Sequence, residues 1–261
     1  MKFKLCSIAV ITAALLLQGW GGSGGLVSDA DKDKNPLNPT PGTEDLSARP
    51  RPSDTALTIT TDATTIYDAA KKPLLLRGIN MQLGSPVSLT RVNGIKAIKE
   101  TGSNIVRLYL SEETTDPELE AALAKVVDQG LVAMVTLDSP KLPCSSNTAA
   151  LNSAVDNLWL KKWLGVIAQD RFQPHLMINI ASGWGPEGIF NPDSYGYDDY
   201  LAAYKAMIGK FRTAGFKVPI VVDAPCGQDF NVFARDRGRA LLAADSAKNI
   251  ILSVQADGSR W

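Results

Sequence analysis

LMINIASGW, residues 176–184, decides the fold. Leu176 to Ala181 is a short uncharged, mostly apolar run with β-branched Ile178 and Ile180, and it ends in small residues before Trp184-Gly185-Pro186. A strand buried on both faces reads this way, and such strands occur in parallel sheets covered by helices.

Working outward from it, strand-like and helix-like segments alternate. Upstream, Leu74 to Asn80, Asn104 to Leu110 and Leu131 to Leu137 read as strands. Between them lie helical patterns over Leu89 to Thr101, Asp116 to Gln129 and Thr148 to Ala168. The first two helices stop at Gly102 and Gly130, a common way to end a helix. Downstream, helices over Tyr197 to Ala214 and Phe233 to Ala244 alternate with strands over Val218 to Asp223 and Asn249 to Gln255. Leu57 to Asp68, ahead of Lys72-Pro73, reads as a small β-hairpin. Repeated βα units mean parallel strands with right-handed crossovers. The expected class is α/β, a (β/α) TIM-barrel-like domain with a short N-terminal β-hairpin. About six strands fall in the repeat, whereas a closed barrel has eight. Ala256 to Trp261 is too short for two further units, so the expected barrel is incomplete at its C-terminus.

Three regions are expected: an export signal over 1–25, a disordered linker over 26–55 and the barrel domain over 56–261. The signal reading rests on basic Lys2 and Lys4 followed by the apolar run Leu5 to Leu17, which is short for a membrane span. Leu15-Leu16-Leu17-Gln18-Gly19 resembles a lipoprotein signal, but Trp20 stands where the acylated Cys would be. The expectation is therefore a periplasmic or secreted protein, with a membrane-associated form as the alternative. The linker reading rests on Pro36, Pro39, Pro41, Pro50 and Pro52 in a polar stretch.

Composition narrows the chemistry. Formal net charge is +0 and no basic stripe appears, which argues against nucleic acid. No strand is followed by G-x-G-x-x-G or a P-loop, which argues against a nucleotide. The one histidine, His175, sits at the start of a strand, so neither a His-based zinc site nor a Ser-His-Asp triad is expected. No metal and no cofactor are implied. Of three cysteines, Cys6 lies in the signal, which leaves Cys144 and Cys226 either as a disulfide or as two thiols.

Particular residues carry a resemblance. Leu76-Arg77-Gly78-Ile79-Asn80, Thr101-Gly102-Ser103-Asn104-Ile105-Val106-Arg107-Leu108, Ile178-Asn179-Ile180-Ala181 and Val221-Val222-Asp223-Ala224 occur in this order. Together with Asn152 to Asp156 ahead of Trp159, they resemble glycoside hydrolase family 5, most of all its bacterial β-mannanases and cellulases. The resemblance runs over roughly Leu57 to Gln255. It implies retaining hydrolysis of β-glycosidic bonds, which needs two carboxyl groups about 5 Å apart, one acid/base and one nucleophile.

The same resemblance implies that this machinery is missing. The family's fourth strand ends Asn-Glu, and the matching positions are Ser182 and Gly183, with Trp184 retained. The family's nucleophile belongs to a seventh strand, which the repeat does not supply. The family's third-strand His matches near Asp138, and its sixth-strand His and Tyr match Gln255 and Asp257. Arg107 is the clear survivor of the core set, and in relatives such an Arg pairs with the nucleophile. Arg107, Trp184, Asn80 and Gln255 are the expected substrate-binding residues, with Trp184 either a sugar-stacking platform or a packed core residue. Glu187, Asp138 and Asp223 are the candidate replacement carboxylates, and Glu112 and Glu113 also follow a strand end. Asp223 has the bland alternative of bracing the strand end and pairing with Arg107.

The expected function is an exported family 5 homologue that acts on or binds β-linked polysaccharide and has lost the standard hydrolytic pair. The alternatives are an active β-1,4-glycanase using relocated carboxylates, and a structural or protein-interaction barrel. Cys144 and Cys226 both follow strands, so a bond between them would tie loops across the face where the active site would lie.

Overall fold

The computed structural model describes residues 48–62, 64–83, 89–187, 195–227 and 237–255. The expected export signal, most of the expected linker, and Asp257 lie outside the described residues. Strands β1 (Thr60–Asp62) and β2 (Thr65–Tyr67) form an antiparallel hairpin with Thr61 opposite Ile66. Strands β3 (Gly78–Gln82), β4 (Ile105–Leu110), β5 (Val132–Leu137), β6 (Leu176–Asn179), β7 (Ile220–Asp223) and β8 (Ile250–Ser253) make one sheet in sequence order, every neighbouring pair parallel. The crossovers carry helices α1 (Leu89–Glu100), α2 (Asp116–Asp128), α3 (Thr148–Ala154), α4 (Leu164–Ile167), α5 (Tyr195–Thr213) and α6 (Gly238–Ala244). This is a (β/α) barrel architecture with six strands among the described residues, its open side lying between β3 and β8.

Strand parity separates two faces. Val106, Leu108, Leu110, Ala133, Val135, Leu137, Leu176, Ile178, Ile220 and Val222 face the helices and belong to the main core. The intervening residues face the concave side. Its floor is a second cluster of Ile59, Val132, Met177 and Val221, joined by Ile66, Leu74, Leu76, Ile105, Met134 and Ile251. The hairpin and its flanks thus plug the end where the strands begin. Above that floor the concave side turns polar, through Arg107, Thr136, Asn179 and Asp223. Helix α2 shows how locally the ends are fixed. Thr115 accepts from the Glu118 amide, the Glu118 carboxylate accepts from the Thr115 amide, and Pro117 stands in the first turn.

Several boundaries differ from the sequence reading, each for a local reason. The first strand pairs with β4 from Gly78, not Leu74, because Pro73 bridges Tyr67 and the Leu74 amide donates to the Ile66 carbonyl. The hairpin therefore claims the start of that segment. Thr148 to Ala168 is not one regular helix: Val155–Lys162 winds as a π-helix between α3 and α4. The wider turn sets Trp159 and Trp163 edge to face at 5.2 Å. Both are fully buried, and their indole N–H groups donate to the carbonyls of Ile180 and Thr114. The fifth crossover, between β7 and β8, is described as a helix from Gly238; the expected start at Phe233 lies outside the described residues. The expected linker reaches to 55, yet its end is docked: Pro52 is buried, Ser53 donates to Asp170, and Lys217 reaches the Asp54 carbonyl. An extended, Pro-rich segment satisfies its main chain from side chains here rather than from a ladder.

Candidate active site at the strand ends

The centre of the polar layer is Asp223, the last residue of β7 and 0% exposed. Its Oδ1 accepts from Asn179 Nδ2 of β6 at 2.8 Å. Its Oδ2 accepts from the Gly183 amide at 3.0 Å, from Arg107 of β4 at 3.2 Å and from Gln255 Nε2 at 3.2 Å. One carboxylate therefore ties four segments that lie far apart in sequence. Arg107 is further held by its Nε donating to Thr136 Oγ1 at 3.0 Å, and its guanidinium lies 4.8 Å over the Tyr109 ring. Gln255 also reaches Ser182 Oγ at 3.3 Å. Asn80 is opposite Arg107 in the β3–β4 register and is exposed.

The fourth-strand loop passes directly beneath. Gly183 has φ +57, and a Cβ built there would sit 3.5 Å from the Gly227 amide. No side chain reaches from this position toward the polar layer. The Gly183 carbonyl accepts from the Cys144 amide, the Gly185 amide donates to the Ser145 carbonyl, and Pro143 bridges Trp184. Cys144 and Cys226 are joined by a disulfide, with Cα atoms 4.2 Å apart. The bond spans the β5 and β7 loops over the β6 loop.

Trp184 is packed inside the domain rather than exposed at the barrel mouth. The turn buries its indole to 1% exposure against Tyr200, stacked at 5.8 Å, and Tyr204, edge to face at 5.5 Å. The Gly183-Trp184-Gly185 turn points the ring toward α5. The hydroxyl of Tyr200 donates to the Asp223 carbonyl. Burial pushes the Tyr200 and Tyr204 phenols well above their ordinary pKa, and the nearby Asp223 charge acts in the same direction. Gly185 has φ +126, and a Cβ would fall 2.8 Å from the Tyr200 ring and 2.9 Å from Pro225 Cα. Gly185→Ala is accordingly expected to lower stability by at least about 1–3 kcal/mol, the usual range for overpacking. A urea midpoint unchanged from the parent would refute that packing.

The other candidates are dispersed. Asp223, a candidate replacement carboxylate, is fully buried, with three hydrogen bonds on Oδ2 and one on Oδ1. Asp138 follows β5 and is half-buried, its amide donating to the Leu110 carbonyl. Glu187 is exposed on the loop beyond Trp184. Glu112 accepts from Ser139 at 2.6 Å, and Glu113 is exposed. His175 is structural, its Nδ1 lying 2.8 Å from the Leu131 carbonyl. Thr136 and Tyr109 were missed as site residues. Strand parity would have found them, since they share the concave face with Arg107 and Asp138.

No family model matches the chain. The mannan endo-1,4-β-mannosidase of Salipaludibacillus agaradhaerens is 28% identical over 198 residues, covering 74% of this chain and 60% of that protein. The catalytic domain of the mannanase from Streptomyces sp. SirexAA-E superposes with a TM-score of 0.64 at 24% identity, over 78% of this chain and 63% of that one. The mannohexaose complex of Thermomonospora fusca β-mannanase gives 0.63 at 23% identity, over 78% and 67%. The fold is thus a (β/α) barrel similar to those of the mannanases. The chain is related to the mannanase- and cellulase-like members of glycoside hydrolase family 5, and it spans 60% of the length of the first relative named.

Proposed function

We propose that this chain is an exported β-mannan-binding barrel that does not use the family's hydrolytic mechanism. The observation that carries this reading is the state of Asp223. The Arg107 guanidinium, which in relatives supports the nucleophile, is here spent on a fully buried carboxylate that holds the loops in place. The fourth-strand position that would carry an acid is Gly183, with no side chain to donate a proton. A positioned general acid or base contributes about 10² to 10⁴ in rate, and Gly183 supplies none.

Binding retains a surface. Asn80, Gln82 and Gln255 are exposed and Arg107 and Tyr109 half-buried, on β3, on β4 and just past β8. The exposed Asn80 and Gln82 amides with the Tyr109 ring suit a hydroxyl-rich chain with apolar sugar faces. The neighbours in complex with mannotriose and mannohexaose make β-1,4-mannan the first ligand to try. The run Leu5 to Leu17 supports export.

The test pairs hydrolysis with binding. Purified protein is expected to release no reducing ends from soluble β-mannan, and to bind mannohexaose with an affinity that falls about tenfold in Tyr109→Ala, or about 1.4 kcal/mol. Hydrolysis that vanishes in Glu187→Gln would instead make this an enzyme with a relocated acid. Neither hydrolysis nor binding, from folded protein, would leave a structural barrel.

A further inference from the structure

We propose that the Cys144–Cys226 disulfide is a reducible strap that holds the barrel mouth shut over the Asp223 cluster, and that a dithiol opens it without unfolding the domain. Three observations lead there. Both cysteines sit at φ +54, in the left-handed region that non-glycine residues avoid. Two strained residues bonded to each other mean that cleavage releases both backbones toward ordinary conformations. Cys144 is exposed and Cys226 half-buried, so the bond lies at the rim and not in the core. The core beneath is extensive, with Trp159, Trp163, Phe211 and Phe216 all within 1% of full burial. A core of that size does not depend on a rim crosslink to fold.

What the strap retains is also visible. Apart from the covalent bond, the β5 loop is held to the β6 loop by the Cys144 amide on the Gly183 carbonyl, the Gly185 amide on the Ser145 carbonyl and the Ser182 amide on the Leu137 carbonyl. The first two lie at the rim, within two residues of a cysteine or of Gly183. The Gly183 amide is the donor to Asp223 Oδ2. Loosening the rim therefore loosens the contact that covers the buried carboxylate. Exposed, strained disulfides are the ones that exchange readily.

The step balances with a dithiol as reductant. One of its thiolates attacks Cys144 Sγ, the S–S bond breaks, and Cys226 leaves as a thiolate that takes a proton. The second thiol attacks the mixed disulfide and releases Cys144. The protein gains two electrons and two protons, and the reductant leaves as a cyclic disulfide.

Dithiothreitol on the native full chain, read by thiol labelling and hydrogen-exchange mass spectrometry, tests this independently of glycan binding. Labelling of Cys144 and Cys226 without denaturant is expected, with the amides of Cys144 and Gly185 exchanging at least tenfold faster while those of Leu108 and Val126 hold. The Cys144→Ser/Cys226→Ser pair is expected to show the same pattern without reductant. Thiols that appear only in denaturant, rates that do not change, or acceleration spread over β4 and α2 would each overturn the strap, the last by making the bond a global staple.

Discussion

Asp223→Ala is expected to be the most damaging single substitution, lowering the unfolding free energy by about 3–5 kcal/mol. The Asp223 side chain is fully buried and that of Arg107 only 11% exposed, so removing the carboxylate strands a cation in a low-dielectric setting. It also leaves the Gly183 amide and Asn179 Nδ2 without their acceptor. For a domain of this size each kcal/mol moves Tm by roughly 2–4 °C, so a fall of about 10 °C is expected. The informative comparison is Asp223→Leu with Arg107→Met. Taking out both charges removes the stranded cation, so the pair is expected to be more stable than Asp223→Leu alone. Urea unfolding of the four proteins measures this, and strictly additive losses would show that the two residues do not act as a pair.

Asp245→Ala carries the second largest effect, about 3 kcal/mol at neutral pH, the low end for breaking a buried ion pair. Asp245 lies where α6 gives way to β8, and its carboxylate takes two hydrogen bonds from Arg212 of α5, at 2.7 and 2.9 Å. Arg212 also donates to the carbonyls of Phe216, Val218 and Asn249, so one guanidinium fastens α5 to the starts of β7 and β8. Burial by itself would raise the Asp245 pKa. The Arg212 hydrogen bonds and charge, with the amides of Asn249 and Ala247, outweigh burial and hold it below the ordinary carboxylate value. A carboxylate with a depressed native pKa stabilises the fold above its unfolded pKa of about 3.9, and that contribution is lost as pH falls through the native value. The stability gap between parent and Asp245→Asn is therefore expected to be constant near neutrality and to narrow below about pH 4. A gap independent of pH down to 2 would remove the ion pair from the account.

The sequence by itself determined the class of fold and most of its order. The mostly apolar runs at Leu131 to Leu137, Leu176 to Ala181 and Val218 to Val222 lack the polar/apolar alternation of a half-exposed strand, as expected of a parallel sheet covered by helices. Gly102 and Gly130 were expected to end helices, and both lie past helix ends with positive φ, as does Gly215. The resemblance also placed Ser182, Gly183 and Asp223 at strand ends and Arg107 within a strand, because strand order fixes which residues share a face.

Tertiary structure alone decided what those residues do. That Arg107 meets Asp223 depends on a side chain 116 positions away, and local pattern carries no information across such a distance. Trp184 precedes a glycine in either role. The α5 aromatics, Tyr200 and Tyr204, turn it from an exposed platform into a core residue. The bond between Cys144 and Cys226 required two loops to meet over a third, and spacing along a chain does not report that. Periodicity is a property of neighbours in sequence, whereas a buried carboxylate with four donors is a property of neighbours in space.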